Sequence, residues 1–78
     1  MDVLTEIRVR RFKKGITQSD LGKLLGVSKQ TVYKIEKGLI PIPRHHFIIL
    51  RDALEIPAEE LIKHNLQFKF PDYSVPGG

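Results

Sequence analysis

Residues 15–38 read GITQSDLGKLLGVSKQTVYKIEKG, and two helix starts can be read in them. Thr17 is a good N-cap, and Asp20 follows three residues later, where a negative charge suits a helix N-terminus. Leu21, Leu24 and Leu25 supply an apolar face, and Gly26 ends the helix. Ser28 caps the next helix, which carries Val32 and Ile35 at i,i+3 spacing and ends at Gly38. Only Gly26-Val27 separates the two. So short a connection forces the second helix across the first at a steep angle. Gly26 permits the turn because glycine takes positive φ at little cost. Val27 plugs the angle, and Gly22 is small where the helices must approach closely. Leu21, Leu25, Val32 and Ile35 are the expected interface.

This crossing leaves one face of the second helix outward. Positions 29, 33 and 30, 34 are i,i+4 pairs, so Lys29, Gln30, Tyr33 and Lys34 project together. Glutamine pairs bidentately with adenine, and lysine donates to guanine O6 and N7. The N-terminal residues of such a helix reach base edges, and here they are Ser28, Lys29, Gln30 and Thr31. No acid stands among them. Tyr33 is either a base contact or an aromatic at the edge of the core.

Outward from this pair, a first helix is predicted from about Asp2 to Lys14, with Leu4, Ile7 and Arg11 on one stripe and Gly15 as its stop. In Leu39-Ile40-Pro41-Ile42-Pro43 the two prolines forbid a helix. A fourth helix is predicted from about Pro43 to Leu54, with Phe47, Leu50 and Leu54 on one stripe. A short fifth runs from Pro57 to about His64, opened by a proline and acids. Leu66, Phe68 and Phe70 then alternate with Gln67 and Lys69, which predicts a strand. The stretch from Asp72 to Gly78 reads as a disordered tail. The expected division is a domain over 1–64 and an arm over 65–78. No repeat is evident.

The pattern Gly15-x-Thr17-Gln18-x-x-Leu21, followed by Gly26-Val27-Ser28-x-x-x-Val32-x-x-Ile35-Glu36-x-Gly38, resembles the Cro/repressor-type helix-turn-helix, or XRE family. The register continues through Leu50, Leu54 and Ile56 to Leu61, so the resemblance covers about residues 4–62. It implies an all-α, five-helix DNA-binding domain, to which the C-terminal strand or arm would be added. It also implies that Gln18 touches phosphate and braces the recognition helix, and that Lys29, Gln30 and Lys34 contact bases. Arg11 and Glu36 match a structural ion pair of the family. The residues support that pair independently, since Glu36 lies i+4 from Val32 on the inward side and Arg11 lies on the inward stripe of the first helix. With Thr31 and Tyr33 added, the expected base contacts are Lys29, Gln30, Thr31, Tyr33 and Lys34. The expected phosphate contacts are Thr17, Gln18, Ser28, Lys37, Gly38 and Arg44. Gly22 departs from the family, which usually has alanine there, and lowers helix propensity by about 1 kcal/mol. The apolar loop after Gly38 departs too, leaving the backbone amides of Gly38 and Leu39 as its route to phosphate. Arg51 stands where a small residue is common.

Composition agrees with a polyanionic partner on one side. The chain has 78 residues, one small domain, and a net charge of +4. Residues 1–44 hold ten basic and four acidic residues, a net +6, whereas residues 45–78 hold three basic and five acidic, a net −2. That asymmetry alone also fits an ordinary solvated surface. The absence of cysteine excludes disulfides and thiolate metal sites and fits a reducing cytoplasm. No run of about 18 apolar residues could span a membrane, and the MDVLTE start lacks the apolar region of a signal peptide. His45-His46 does not make a metal site, because adjacent helical residues diverge by about 100° and no third ligand is near. Arg10, Arg11, Lys13 and Lys14 read as solvated surface with backbone contact, and His64 as surface. There is no nucleophile–base arrangement, glycine-rich phosphate loop or carboxylate pair, so no enzyme, cofactor or small-molecule ligand is expected.

The expected function is sequence-specific binding of double-stranded DNA in a bacterial or phage-encoded, cytoplasmic regulator. It would act as a repressor and as a homodimer on a palindromic operator. Leu39, Ile40, Ile42, Ile48, Ile49 and Phe68 are the expected dimer surface, since the proline-bound loop cannot bury all its apolar residues and the fourth helix carries a surplus. An antitoxin-type or restriction-control regulator would use the same domain. The rival from another class is a protein-interaction module that uses the apolar loop and tail.

Overall fold

The structure is a computed structural model and describes residues 2–69. Among these residues five α-helices follow in order, α1 (Val3–Lys13), α2 (Gln18–Leu25), α3 (Lys29–Glu36), α4 (Phe47–Leu54) and α5 (Ala58–Leu66), with a 3₁₀ turn (Arg44–His46) leading into α4. No strand occurs among the described residues. The helix starts are chemically explicit. Asp2 accepts the Thr5 amide at 2.9 Å at the head of α1. Thr17 and Asp20 form a reciprocal capping box on α2, with Asp20 N to Thr17 Oγ1 at 3.0 Å and Thr17 N to Asp20 Oδ2 at 3.1 Å. Ser28 Oγ accepts the Thr31 amide at 3.2 Å at the head of α3.

The turn between α2 and α3 rests on two glycines. Gly26 sits at φ 74°, ψ 29°, a left-handed conformation that glycine adopts without the Cβ penalty. Gly22 is buried, and a Cβ there would lie 2.7 Å from the Val27 carbonyl oxygen. The two helices therefore pack closer than an alanine at 22 allows.

One core joins all five helices, built from Val3, Ile7, Leu21, Leu25, Val32, Ile35, Ile42, Leu50, Leu54, Ile56 and Leu61. Two polar links outside the hydrophobic pattern tie it together. Arg10 Nη1 donates to the carbonyls of Leu54 at 3.2 Å and Glu55 at 2.8 Å, anchoring α1 to the turn where Glu55 ends α4 in a left-handed conformation. Asn65 accepts the Ile42 amide at 3.0 Å and donates to the Ile42 carbonyl at 2.7 Å, clasping the proline-bound loop to α5.

Several residues depart from what their local sequence predicts. The strand expected over Leu66–Phe70 is absent as far as Lys69: Leu66 ends α5 and Gln67 closes it with a turn. Four alternating residues with no partner strand do not sustain a strand, whereas α5 gains from the Asn65 clasp. Phe70 and the tail expected from Asp72 lie outside the described residues. Ile42, expected at a dimer surface, is 1% exposed and part of the core, because Asn65 satisfies both of its backbone groups and lets the loop turn inward. Leu24 is exposed, lying outside the arc of Leu21 and Leu25 that α3 covers. His64 is half-buried, its Nε2 without a hydrogen-bond partner, because its helix packs on α1. Arg10, read as solvated surface, instead donates to the carbonyls of Leu54 and Glu55.

Candidate nucleic-acid interface

The outward face of α3 is built by what its inward face buries. Val32, Ile35 and Glu36 are buried, which orients Lys29, Gln30, Tyr33 and Lys34 outward, and all four are exposed. Ser28 and Lys37 are exposed at the two ends of the helix. Thr31 is half-buried, its Oγ1 3.2 Å from Ser28 Oγ, so it lies at the margin of the face. Lys29, Lys34 and Lys37 have no carboxylate partner among the described residues. Lys37 Nζ lies over the Tyr33 ring, 5.8 Å from its centroid, a cation–π contact. The i,i+4 spacing of these two residues was the available signal for it.

The two acids of residues 15–38 are both engaged internally. Hydrogen bonds from the Thr17 backbone and side chain hold the Asp20 carboxyl below the usual carboxylate range. Glu36 Oε2 accepts Arg11 Nε at 2.8 Å and Oε1 accepts Arg11 Nη2 at 3.1 Å, a bidentate pair. Arg11 Nη1 also donates to the Ile16 carbonyl at 3.0 Å. Gln18 Nε2 donates to Glu36 Oε1 at 3.0 Å, so the head of α2 is fastened to the tail of α3. A buried carboxylate with this many donors holds the outward face of α3 at a set angle to α1 and α2.

The residues expected at phosphate divide into two groups. Thr17 is exposed and Gln18 half-buried at the head of α2. The amides of Gln18 and Ser19, in the first turn, have no carbonyl four residues earlier in the helix to bond. Ser28, Lys37 and Arg44 are exposed. At Gly38, however, the amide donates to Ile35 O at 3.1 Å and that of Leu39 to Lys34 O at 2.9 Å. Both amides close the end of α3.

The apolar residues expected at a dimer surface also divide. Leu39 is exposed, Ile48 is 57% exposed, Ile40 and Ile49 are half-buried against the core, and Phe68 stacks edge-on against His64 at 6.1 Å. Ile62, 47% exposed, and Leu66, 81% exposed, are further exposed apolar residues outside that set. Their i,i+4 spacing on α5 was the legible signal, hidden by reading Leu66 as strand. Among the described residues, no group of three or more His, Cys, Asp or Glu side chains could hold a metal ion. No helix is long and apolar enough to cross a membrane.

A family model described as Helix-turn-helix matches residues 7–61, which span α2, α3 and the whole of the core between Ile7 and Leu61. No curated protein and no solved structure matches the chain.

Proposed function

Since the chain belongs to the Cro/C1-type helix-turn-helix (XRE) family of DNA-binding regulators, we propose that it represses transcription as a symmetric dimer on a palindromic operator. The observation that carries this reading is the α3 face. Lys29, Gln30, Tyr33 and Lys34 point outward and no carboxylate engages the lysines, while Glu36 and Gln18 brace the helix from behind. Lys29, Gln30 and Lys34, with Thr31 at the margin, would meet base edges in the major groove. Thr17, Gln18, Ser28, Lys37 and Arg44 would meet phosphates on either side. A regulator of this kind acts in the cytoplasm of a bacterium or a phage-infected cell.

A single α3 reads only a few base pairs, too few to mark one site in a genome. Two copies about a two-fold axis place their recognition helices about 34 Å apart, one turn of DNA. The exposed Leu39, Ile48, Ile62 and Leu66 support a dimer surface drawn from the loop, α4 and α5, to which Ile40, Ile49 and Phe68 would add.

Selection from a random DNA pool tests the whole reading. It should enrich a palindrome with half-sites one helical turn apart. On that site Lys29→Ala and Gln30→Ala should each cost about 1–3 kcal/mol, and less on random DNA. Affinity should fall steeply with salt, as for about six to ten phosphate contacts per dimer. Sedimentation at micromolar concentration should give a dimer. A flat salt response sinks DNA binding, and a monomer both with and without DNA sinks the dimer alone.

A further inference from the structure

Tyr33 does not join the core that its neighbours Val32 and Ile35 enter. Its side chain is 47% exposed, and its hydroxyl makes no hydrogen bond among the described residues. It sits one turn after Lys29 and one turn before Lys37, in the middle of the outward face. Lys37 Nζ stands over its ring, which steadies a flat apolar surface between two cations. Of the two sequence-level alternatives for Tyr33, the edge of the core is therefore the weaker.

What such a ring can read follows from its neighbours. Lysine suits guanine O6 and N7, and glutamine suits adenine N6 and N7. The cytosine N4 amino group needs an acceptor such as a carboxylate, and neither Asp20 nor Glu36 is on this face. The thymine C5 methyl is the one apolar group displayed in the major groove, and the Tyr33 ring is the one large apolar surface on the outward face of α3. We propose that Tyr33 is a specificity-determining residue that reads the C5 methyl of a thymine in each half-site. This rests on the major-groove reading of α3. The same contact accepts 5-methylcytosine at that position, because the methyl stands at the same edge of the ring.

The test uses the DNA enriched from the random pool, with each thymine replaced in turn by deoxyuridine, which removes only the methyl. The intact chain should lose about fourfold in affinity at one thymine of a half-site, the size of one methyl group buried from water. Tyr33→Ala should bind thymine and deoxyuridine equally there, and Tyr33→Phe should keep the intact chain's preference. Because each ratio compares two DNAs on one protein, partial unfolding of a variant cancels. Sensitivity that persists in Tyr33→Ala overturns the proposal, as does insensitivity at every thymine in the intact chain. Loss of the preference in Tyr33→Phe also overturns it, assigning the hydroxyl rather than the ring. A pool that enriches no sequence overturns the major-groove reading itself, an outcome distinct from enrichment without methyl dependence.

Discussion

Gly22 lies against Val27 so closely that a Cβ on Gly22 would stand 2.7 Å from the Val27 carbonyl oxygen. The obstacle is backbone, in a turn fixed by Gly26 and by the Val27 amide, which donates to the Gly22 carbonyl at 2.9 Å. Alanine at 22 gains about 1 kcal/mol of helix propensity but must push α2 and the turn apart. Gly22→Ala is expected to destabilise the fold by about 1–3 kcal/mol, the usual cost of overpacking. Thermal melting decides it, and a higher melting temperature would refute the close packing.

Glu36 is expected to be the most sensitive polar position. Its side chain is 2% exposed and takes three donated bonds from Arg11 and Gln18. Glu36→Ala leaves the part-buried Arg11 guanidinium without its carboxylate, at a cost of about 3–5 kcal/mol. Replacing Arg11 with methionine as well should restore part of the loss, since no unpaired charge then remains. Denaturant unfolding of both variants measures this, and an unchanged midpoint for Glu36→Ala would show that the pair contributes nothing.

Asn65 should matter out of proportion to its place near the end of α5. Asn65→Ala leaves both backbone groups of the buried Ile42 unpaired, costing about 1–3 kcal/mol. Hydrogen exchange at the Ile42 amide should quicken more than exchange within α2. Equal quickening at both sites would mean that the clasp is not local.

The histidines set an acid limb. Burial pushes His46 below the ordinary histidine value, with His45 adding to the effect, and burial also lowers His64. The folded chain therefore stays neutral where the unfolded chain takes up protons. Stability is fully present above the unfolded value of about 6.5 and is lost as pH falls from there through the lowered values. Asp2 and Asp20, held low by cap hydrogen bonds from Thr5 and Thr17, extend the loss below about pH 4. His46 is fully buried with neither ring nitrogen hydrogen-bonded. His46→Leu should therefore cost little at pH 7.5 and should flatten the melting temperature between pH 7 and 5. A slope as steep as the parent's would assign the limb to other groups.

The sequence by itself determined what is local. Thr17 with Asp20, Ser28, Gly26 and the Leu21–Leu25–Val32–Ile35 spacing act within one or two turns of chain. Caps, left-handed glycines and helical periodicity are properties of neighbouring residues, so α2, α3 and the outward set at 29, 30, 33 and 34 were legible. Even the small residue at 22 could be read as a close approach. Only the tertiary structure decided what joins distant segments. Ile42 looked like surface in a proline-bound loop until Asn65, 23 residues later, took both its backbone groups. Arg10 looked solvated until the end of α4, 44 residues later, offered it carbonyls. Leu66 alternates as a strand residue does, yet α5 runs through it, because a strand needs a partner and a helix does not. Such contacts close long loops and leave no mark in the periodicity of either segment. The sequence therefore names the face of α3, while the packing of Arg11, Gln18 and Glu36 behind it sets the angle at which that face is presented.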